Sequence, residues 1–374
     1  MPGNAPSVPS SSAIDVEVNR MMAVTGAKGF ALAVIDDGAV TKVSVYGIRN
    51  VAGDPLKTDS IMYAASLTKM AFGFMVAQLA DEGLIDLDKS IAAYLPQPLP
   101  SYSDEQTAED YAAWGGLAGD DRWKKLTPRI LLNHGSGFSN FGFLEPDEKL
   151  RFHFDPGTQY GYSGDGIILL QFVLEKGLGL DVGREMQKRI FDPLGMPDSS
   201  LIWRDDYRGR TADGWMIDGA PEPHDERSRV RAAGSMDSTI ADMAKLTAGL
   251  VRGDRLSKEA YADFLRPQLH VTTKSQFPTP QKPLPASEQR ADLYAALSPI
   301  VFDGPQGRGF VRGGHNDSTG NMITCLAARK RCVVILGNDL RAEAAIPYLT
   351  DFILGEARVP WNFLYGDLDL WKPT

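Results

Sequence analysis

The chain reads as an α/β protein of the α+β type, with an antiparallel sheet flanked by N- and C-terminal helices and a large, mostly helical domain inserted. Three observations predict this. Strand-like runs cluster near the two chain ends, at 30–46 and 309–336, while 90–290 carries mainly helical and loop signals. The strand-like runs are joined by short turns, as antiparallel neighbours are. Helical patterns at 13–24 and 344–354 bracket the whole. The predicted division is 1–65 with 291–374 for the sheet domain and 66–290 for the helical domain, with the active site between the two.

In chain order, 13–24 forms an amphipathic opening helix. The runs 30–35 and 40–46 make a hairpin through Asp36-Asp37-Gly38-Ala39. Residues 66–80 hold no Pro, one Gly and a single charge, and are apolar nearly all round. That pattern predicts a helix buried on every side, ending near Gly83. Residues 96–125 are rich in Pro, Gly, Asp and aromatics and read as a surface excursion, of the kind that acts as a lid. Together with Trp203 and Trp215, this excursion is expected to shape the pocket. Helical patterns recur at 167–176, 183–191, 239–250 and 258–265, the third with a capping-box-like start at Thr239. Residues 270–290 are polar and Pro-rich, a linker or flap. Strands at 309–312, 322–327 and 332–336 follow, the last two turning at Arg329-Lys330, before a closing helix at 344–354.

Composition bounds the function. With 43% apolar and 23% charged residues, the 374-residue chain is ordinary for a soluble globular protein. A net charge of −9 argues against nucleic-acid or anionic-membrane partners. No 18-residue apolar run suits a membrane span, and Met1 to Ser12 carries no signal-peptide pattern. The expected location is cytoplasmic, or periplasmic if a leader was removed. Cys325 and Cys332 form no disulfide framework and are expected to be small buried hydrophobes. The five histidines show no paired spacing, so neither a metal nor a cofactor is expected.

The chemistry centres on Ser66-Leu67-Thr68-Lys69. Lys69 is the one charge in the first turn of a buried helix, and Lys is seldom buried unless paired. Ser66 lies three residues earlier on the same face, at the helix end where free N–H groups gather. A serine beside a desolvated lysine is a design for an activated nucleophile. The bland alternative is that Ser66 is an N-cap and Lys69 snorkels to water. Two further segments carry candidate groups. A Gly-rich turn at 154–164 presents Tyr160 and Tyr162. Gly313-Gly314-His315-Asn316-Asp317-Ser318-Thr319-Gly320 passes from one strand into the next, with Arg312 a rival cation beside His315. Gly161-Tyr162-Ser163-Gly164 misses the nucleophile-elbow pattern, having Asp165 where the last glycine belongs.

These segments together resemble the class C β-lactamase superfamily, which includes penicillin-binding-protein-like hydrolases and family VIII carboxylesterases. Ser66-x-x-Lys69 resembles its first motif and Tyr162-Ser163 its tyrosine motif. Leu126-Thr127-Pro128 through Ser136-Gly137, Phe191-Asp192-Pro193-Leu194-Gly195-Met196 and Gly234-Ser235-Met236-Asp237-Ser238-Thr239 are similar to further stretches of the family. The resemblance spans roughly 15–355. It implies a serine hydrolase with Ser66, Lys69 and Tyr162 catalytic, and Tyr162 or Lys69 as base. The N–H groups of Ser66 and Ser318 would form the oxyanion hole. His315, Gly314 and Gly164 would contact substrate, with His315 hydrogen-bonded to Tyr162 or to the substrate. The family's Tyr-x-Asn is Tyr162-Ser163-Gly164 here, and the lost amide argues against efficient β-lactam hydrolysis. His315 in the third motif leans toward esterases. The expected function is therefore a carboxylesterase for short acyl esters of small molecules. A β-lactamase, a D-amino-acid peptidase or acyltransferase, and a non-catalytic acyl or penicillin sensor are the rivals.

Overall fold

The structure, a computed structural model, describes residues 7–366. Met1–Pro6 of the opening stretch and residues 367–374 of the predicted sheet domain lie outside the described residues. The elements that position the site are α1 (Ser11–Thr25), β1 (Gly29–Asp36), β2 (Ala39–Gly47), α2 (Leu67–Asp81), α3 (Gly164–Phe172) and α4 (Ile240–Arg252). They are followed by β3 (Leu269–His270), β4 (Tyr294–Ala295), β5 (Ile300–Gly304), β6 (Gly307–His315), β7 (Gly320–Leu326), β8 (Arg331–Gly337), α5 (Ile346–Leu354) and α6 (Trp361–Tyr365).

Among the described residues, eight strands form one antiparallel sheet in the order β2-β1-β8-β7-β6-β5-β4-β3. Both chain ends contribute, as the sequence predicts. The edge strand β3 comes from 269–270, at the start of the segment read as linker or flap. The β1–β2 turn places Asp37 at φ 49° and Gly38 at φ 75°, the pair of positive values that a tight hairpin needs.

The sheet divides the core in two, and strand alternation decides which side chain goes where. Ala31, Ala33 and Ile35 of β1 face the cluster containing α2, α3 and α4, whereas Phe30, Leu32 and Val34 face α1 and α5. With both faces covered, β1 reads as a continuous apolar run rather than an alternating one. Helix α2 is buried from Leu67 through Leu79. Gly73 lets it pass close to Ser298, where a Cβ would come within 2.5 Å of the Ser298 Cβ.

Two expectations fail. Cys325 and Cys332 are buried, but they are bonded to each other. They are direct partners in the β7–β8 register, around the turn at Arg329-Lys330. Their spacing of seven residues is silent on this until the hairpin register is fixed. The 96–125 excursion is not a lid. Tyr102, Tyr111 and Trp114 surround Phe172 at ring-centroid distances of 5.0, 5.0 and 5.7 Å, so its aromatics are packing groups for α3 and its continuation. Trp114 is fully buried. Trp114→Ala is expected to destabilise the fold by about 3–5 kcal/mol, a loss that urea unfolding would read. A loss well under that would mean that the excursion is only loosely attached.

Candidate active site

Ser66 sits at the start of α2 with helical dihedrals, φ −69° and ψ −2°, and its hydroxyl caps no N–H. The capping alternative therefore fails. Ala65 just before it holds φ 47°, a costly conformation for a residue with a Cβ and one that clusters at functional sites. The Ser66 Oγ lies 2.9 Å from Lys69 Nζ and 2.8 Å from Tyr162 Oη. Lys69 does not snorkel. It is buried, and its Nζ also donates to the Ala233 carbonyl at 2.5 Å.

Tyr162 arrives on the extended segment before α3, and Tyr160, two residues earlier, packs against His134 and Phe363. The ring of His134 stacks on Tyr162 at 4.6 Å, and Phe277 meets it edge-on at 5.0 Å. Behind the ring lies Arg312, fully buried, its guanidinium 5.6 Å from the ring centroid. Its Nη2 contacts His134 Nε2 at 3.0 Å and donates to Ser298 Oγ at 3.1 Å. No carboxylate pairs with Arg312 among the described residues. Two buried cations thus flank one phenol.

The electrostatics follow. Burial alone would raise the Tyr162 pKa, but the charges of Lys69 and Arg312 outweigh it and bring the phenol down to about 8. Burial pushes Lys69 down, Tyr162 opposes that shift, and Arg312 adds to it. Burial, then Arg312 and Lys69, hold His134 well below its usual range. Both of its ring nitrogens face N–H donors, from Ser163 and Arg312, so a second ring proton has no acceptor.

Two expected placements are corrected. Among the described residues His315 makes no hydrogen bond to Tyr162; its Nδ1 lies 2.9 Å from Glu343 Oε1, so of its two expected partners only the substrate remains. Arg312, three residues earlier in β6, is the cation beside the tyrosine. The alternation of the strand puts Arg312 and Gly314 on the α2 face and His315 on the other. Ser318 offers no free N–H either, because it donates to the Asn316 side chain at 3.1 Å. The ladder indicates which N–H is free instead. Asn316 N–H donates to the Thr319 carbonyl, so even-numbered residues of β6 bond toward β7 and odd-numbered ones point to the other edge. On that edge β5 pairs only as far as Val311, which leaves the N–H of His315 beside α2 without a strand partner among the described residues. Gly314 allows this approach: a Cβ there would stand 2.9 Å from Ser66 N and 2.7 Å from the Ala64 carbonyl.

Gly164 also has a steric reason, since a Cβ would fall 2.3 Å from the Phe141 ring. Its N–H donates to Asn140 Oδ1 at 2.9 Å, and Asn140 lines the cleft. An amide is thus present near the tyrosine, from a residue that sequence reading missed. Arg312 was seen in the sequence only as a rival, His134 lay in a family-like stretch that gave it no role, and Asn140 carried no local signal.

The cleft over Ser66 encloses about 780 Å³ and is lined by Lys69, Tyr162, Asn140, Phe141 and Phe277 among others. Trp203, Trp215 and residues 96–125 do not line it. The family model described as Beta-lactamase matches residues 15–354. The chain belongs to the beta-lactamase family. Its fold is shared with the octameric penicillin-binding protein homologue of Pyrococcus abyssi, at TM-score 0.72 and 19% identity over 93% of this chain and 78% of that one. A class C beta-lactamase aligns at TM-score 0.70 and 16% identity, over 92% and 95% of the two chains. Among curated relatives, a lovastatin esterase of Penicillium rubens is 30% identical over 42% of this chain and 44% of its own length. A monacolin J acid methylbutanoyltransferase of Aspergillus terreus is 29% identical over 47% and 48%. The matched stretch thus spans less than half of each of these curated relatives. The matched family is a beta-lactamase-like family of serine hydrolases. Among the described residues, no helix is long and apolar enough to cross a membrane.

Proposed function

We propose that the protein is a carboxylesterase that cleaves short-chain acyl esters of small molecules through an acyl-enzyme on Ser66. The observation that carries this reading is the Ser66 Oγ held within 3 Å of both Lys69 Nζ and Tyr162 Oη. Ser66 attacks the ester carbonyl and its proton passes to the Tyr162 phenolate. A phenol near 8 is about one-tenth ionised at pH 7, a penalty of about 1.4 kcal/mol, against about 4 kcal/mol for an unperturbed tyrosine. The N–H groups of Ser66 and His315 hold the oxyanion, each contributing about 3 kcal/mol. Tyr162 returns the proton to the leaving oxygen, and water then hydrolyses the acyl-enzyme with Tyr162 again as base.

The esterase relative supports ester over β-lactam cleavage. The methylbutanoyltransferase relative favours acyl transfer as a second outcome, with an alcohol taking the place of water. The Cys325–Cys332 bond favours an oxidising compartment over the cytoplasm. The test is a panel of p-nitrophenyl esters, nitrocefin and D-amino-acid peptides, run with and without an acceptor alcohol. Ester kcat/KM is expected to exceed that for nitrocefin by about 100-fold, or about 2.7 kcal/mol. The reverse order would make the protein a lactamase or peptidase. One stoichiometric burst without turnover would make it a sensor.

A further inference from the structure

We propose that Glu343 and Tyr365, beside His315, form a leaving-group subsite that accepts neutral hydroxyl-bearing or cationic leaving groups and disfavours those carrying a carboxylate. This rests on the ester-cleaving reading and adds its selectivity. Tyr162 hands its proton to the leaving oxygen, so the leaving group must lie on the side of Tyr162. There Phe277 packs edge-on against Tyr162 at 5.0 Å and also lies 5.7 Å from the His315 ring. Beyond Phe277, this end of the cleft is walled by His315, Met322, Glu343, Leu364 and Tyr365.

Glu343 is nearly buried, and its Oε1 is taken by His315 Nδ1 at 2.9 Å. Among the described residues, nothing donates to its other oxygen. Gly320 makes room for it, since a Cβ there would lie 2.3 Å from Glu343 Cγ. The Tyr365 hydroxyl is buried in the same wall and has no hydrogen-bond partner among the described residues. A buried polar group left unmatched is a place where a ligand group is rewarded. His315 is the cation-capable side chain facing this end, and Glu343 already balances it. Lys69 and Arg312 lie behind Tyr162 and are matched to its phenolate. A substrate carboxylate entering here meets Glu343 without an unpaired cation, and like charges at an uncompensated site are a strong source of discrimination.

The experiment uses three butyryl thioesters that differ only in the thiol: 2-mercaptoethanol, thiocholine and 3-mercaptopropionate. Thiol release is followed with a chromogenic disulfide, in the full chain and in Glu343→Gln and Tyr365→Phe. In the unmodified protein, kcat/KM for the mercaptopropionate thioester is expected to be about 10-fold or more below that for the mercaptoethanol thioester. Glu343→Gln is expected to narrow that ratio by about threefold or more, and a ratio cancels any loss common to both substrates. Tyr365→Phe is expected to raise KM for the mercaptoethanol thioester more than for the thiocholine one. Equal or faster turnover of the carboxylate substrate, or an unchanged ratio in Glu343→Gln, would overturn the subsite while leaving the esterase reading intact. No turnover of any thioester, together with no fluorophosphonate labelling of Ser66, would overturn both.

Discussion

Ser66→Ala is expected to lower ester turnover by about 10⁴-fold or more and to abolish covalent labelling by a fluorophosphonate. Among the described residues, Ser66 Oγ is the one hydroxyl in contact with both Lys69 Nζ and Tyr162 Oη. Removing it leaves the amine and the phenol with no atom to activate. The fold should be unaffected, because this hydroxyl caps no helix N–H and the change deletes only one polar atom. Active-site titration and mass spectrometry of the labelled protein check the result together. Label found on a different serine would refute the assignment outright.

Tyr162→Phe should cost about 10²–10⁴-fold in kcat/KM, the usual contribution of a positioned general base. The sharper signature is the pH profile. The phenolate is the active form, so kcat/KM of the unmodified protein should rise with pH through about 8. That limb should vanish in Tyr162→Phe. Arg312→Gln removes a buried cation behind the ring and returns the phenol toward its ordinary, higher pKa. Its limb should therefore move to higher pH, with activity at pH 7 falling and activity at high pH largely recovering. A limb that stays in place in Tyr162→Phe would move the role of base to Lys69, whose own pKa is pushed down by burial.

Much of the framework was legible because it is local. A run as apolar as 66–80 predicts a buried helix wherever it packs, and one lysine in its first turn demands a partner. Asp37-Gly38 predicts its hairpin from turn chemistry alone. Thr239 caps α4 through the Asp242 N–H, as its spacing suggests. The resemblance of Tyr162-Ser163 to a family motif brought the phenol to Ser66, which periodicity does not.

The sequence by itself determined the buried nucleophile helix, the amine one turn from the hydroxyl, and a sheet drawn from both ends of the chain. Tertiary structure alone decided that Arg312 rather than His315 stands behind the phenol, that Ser318 is tied to Asn316, and that Cys325 meets Cys332. The reason is register. A strand fixes which residues alternate, but its pairing and its open edge are set by partners distant in the chain. One step along β6 exchanges the face that meets Tyr162 for the face that meets Glu343.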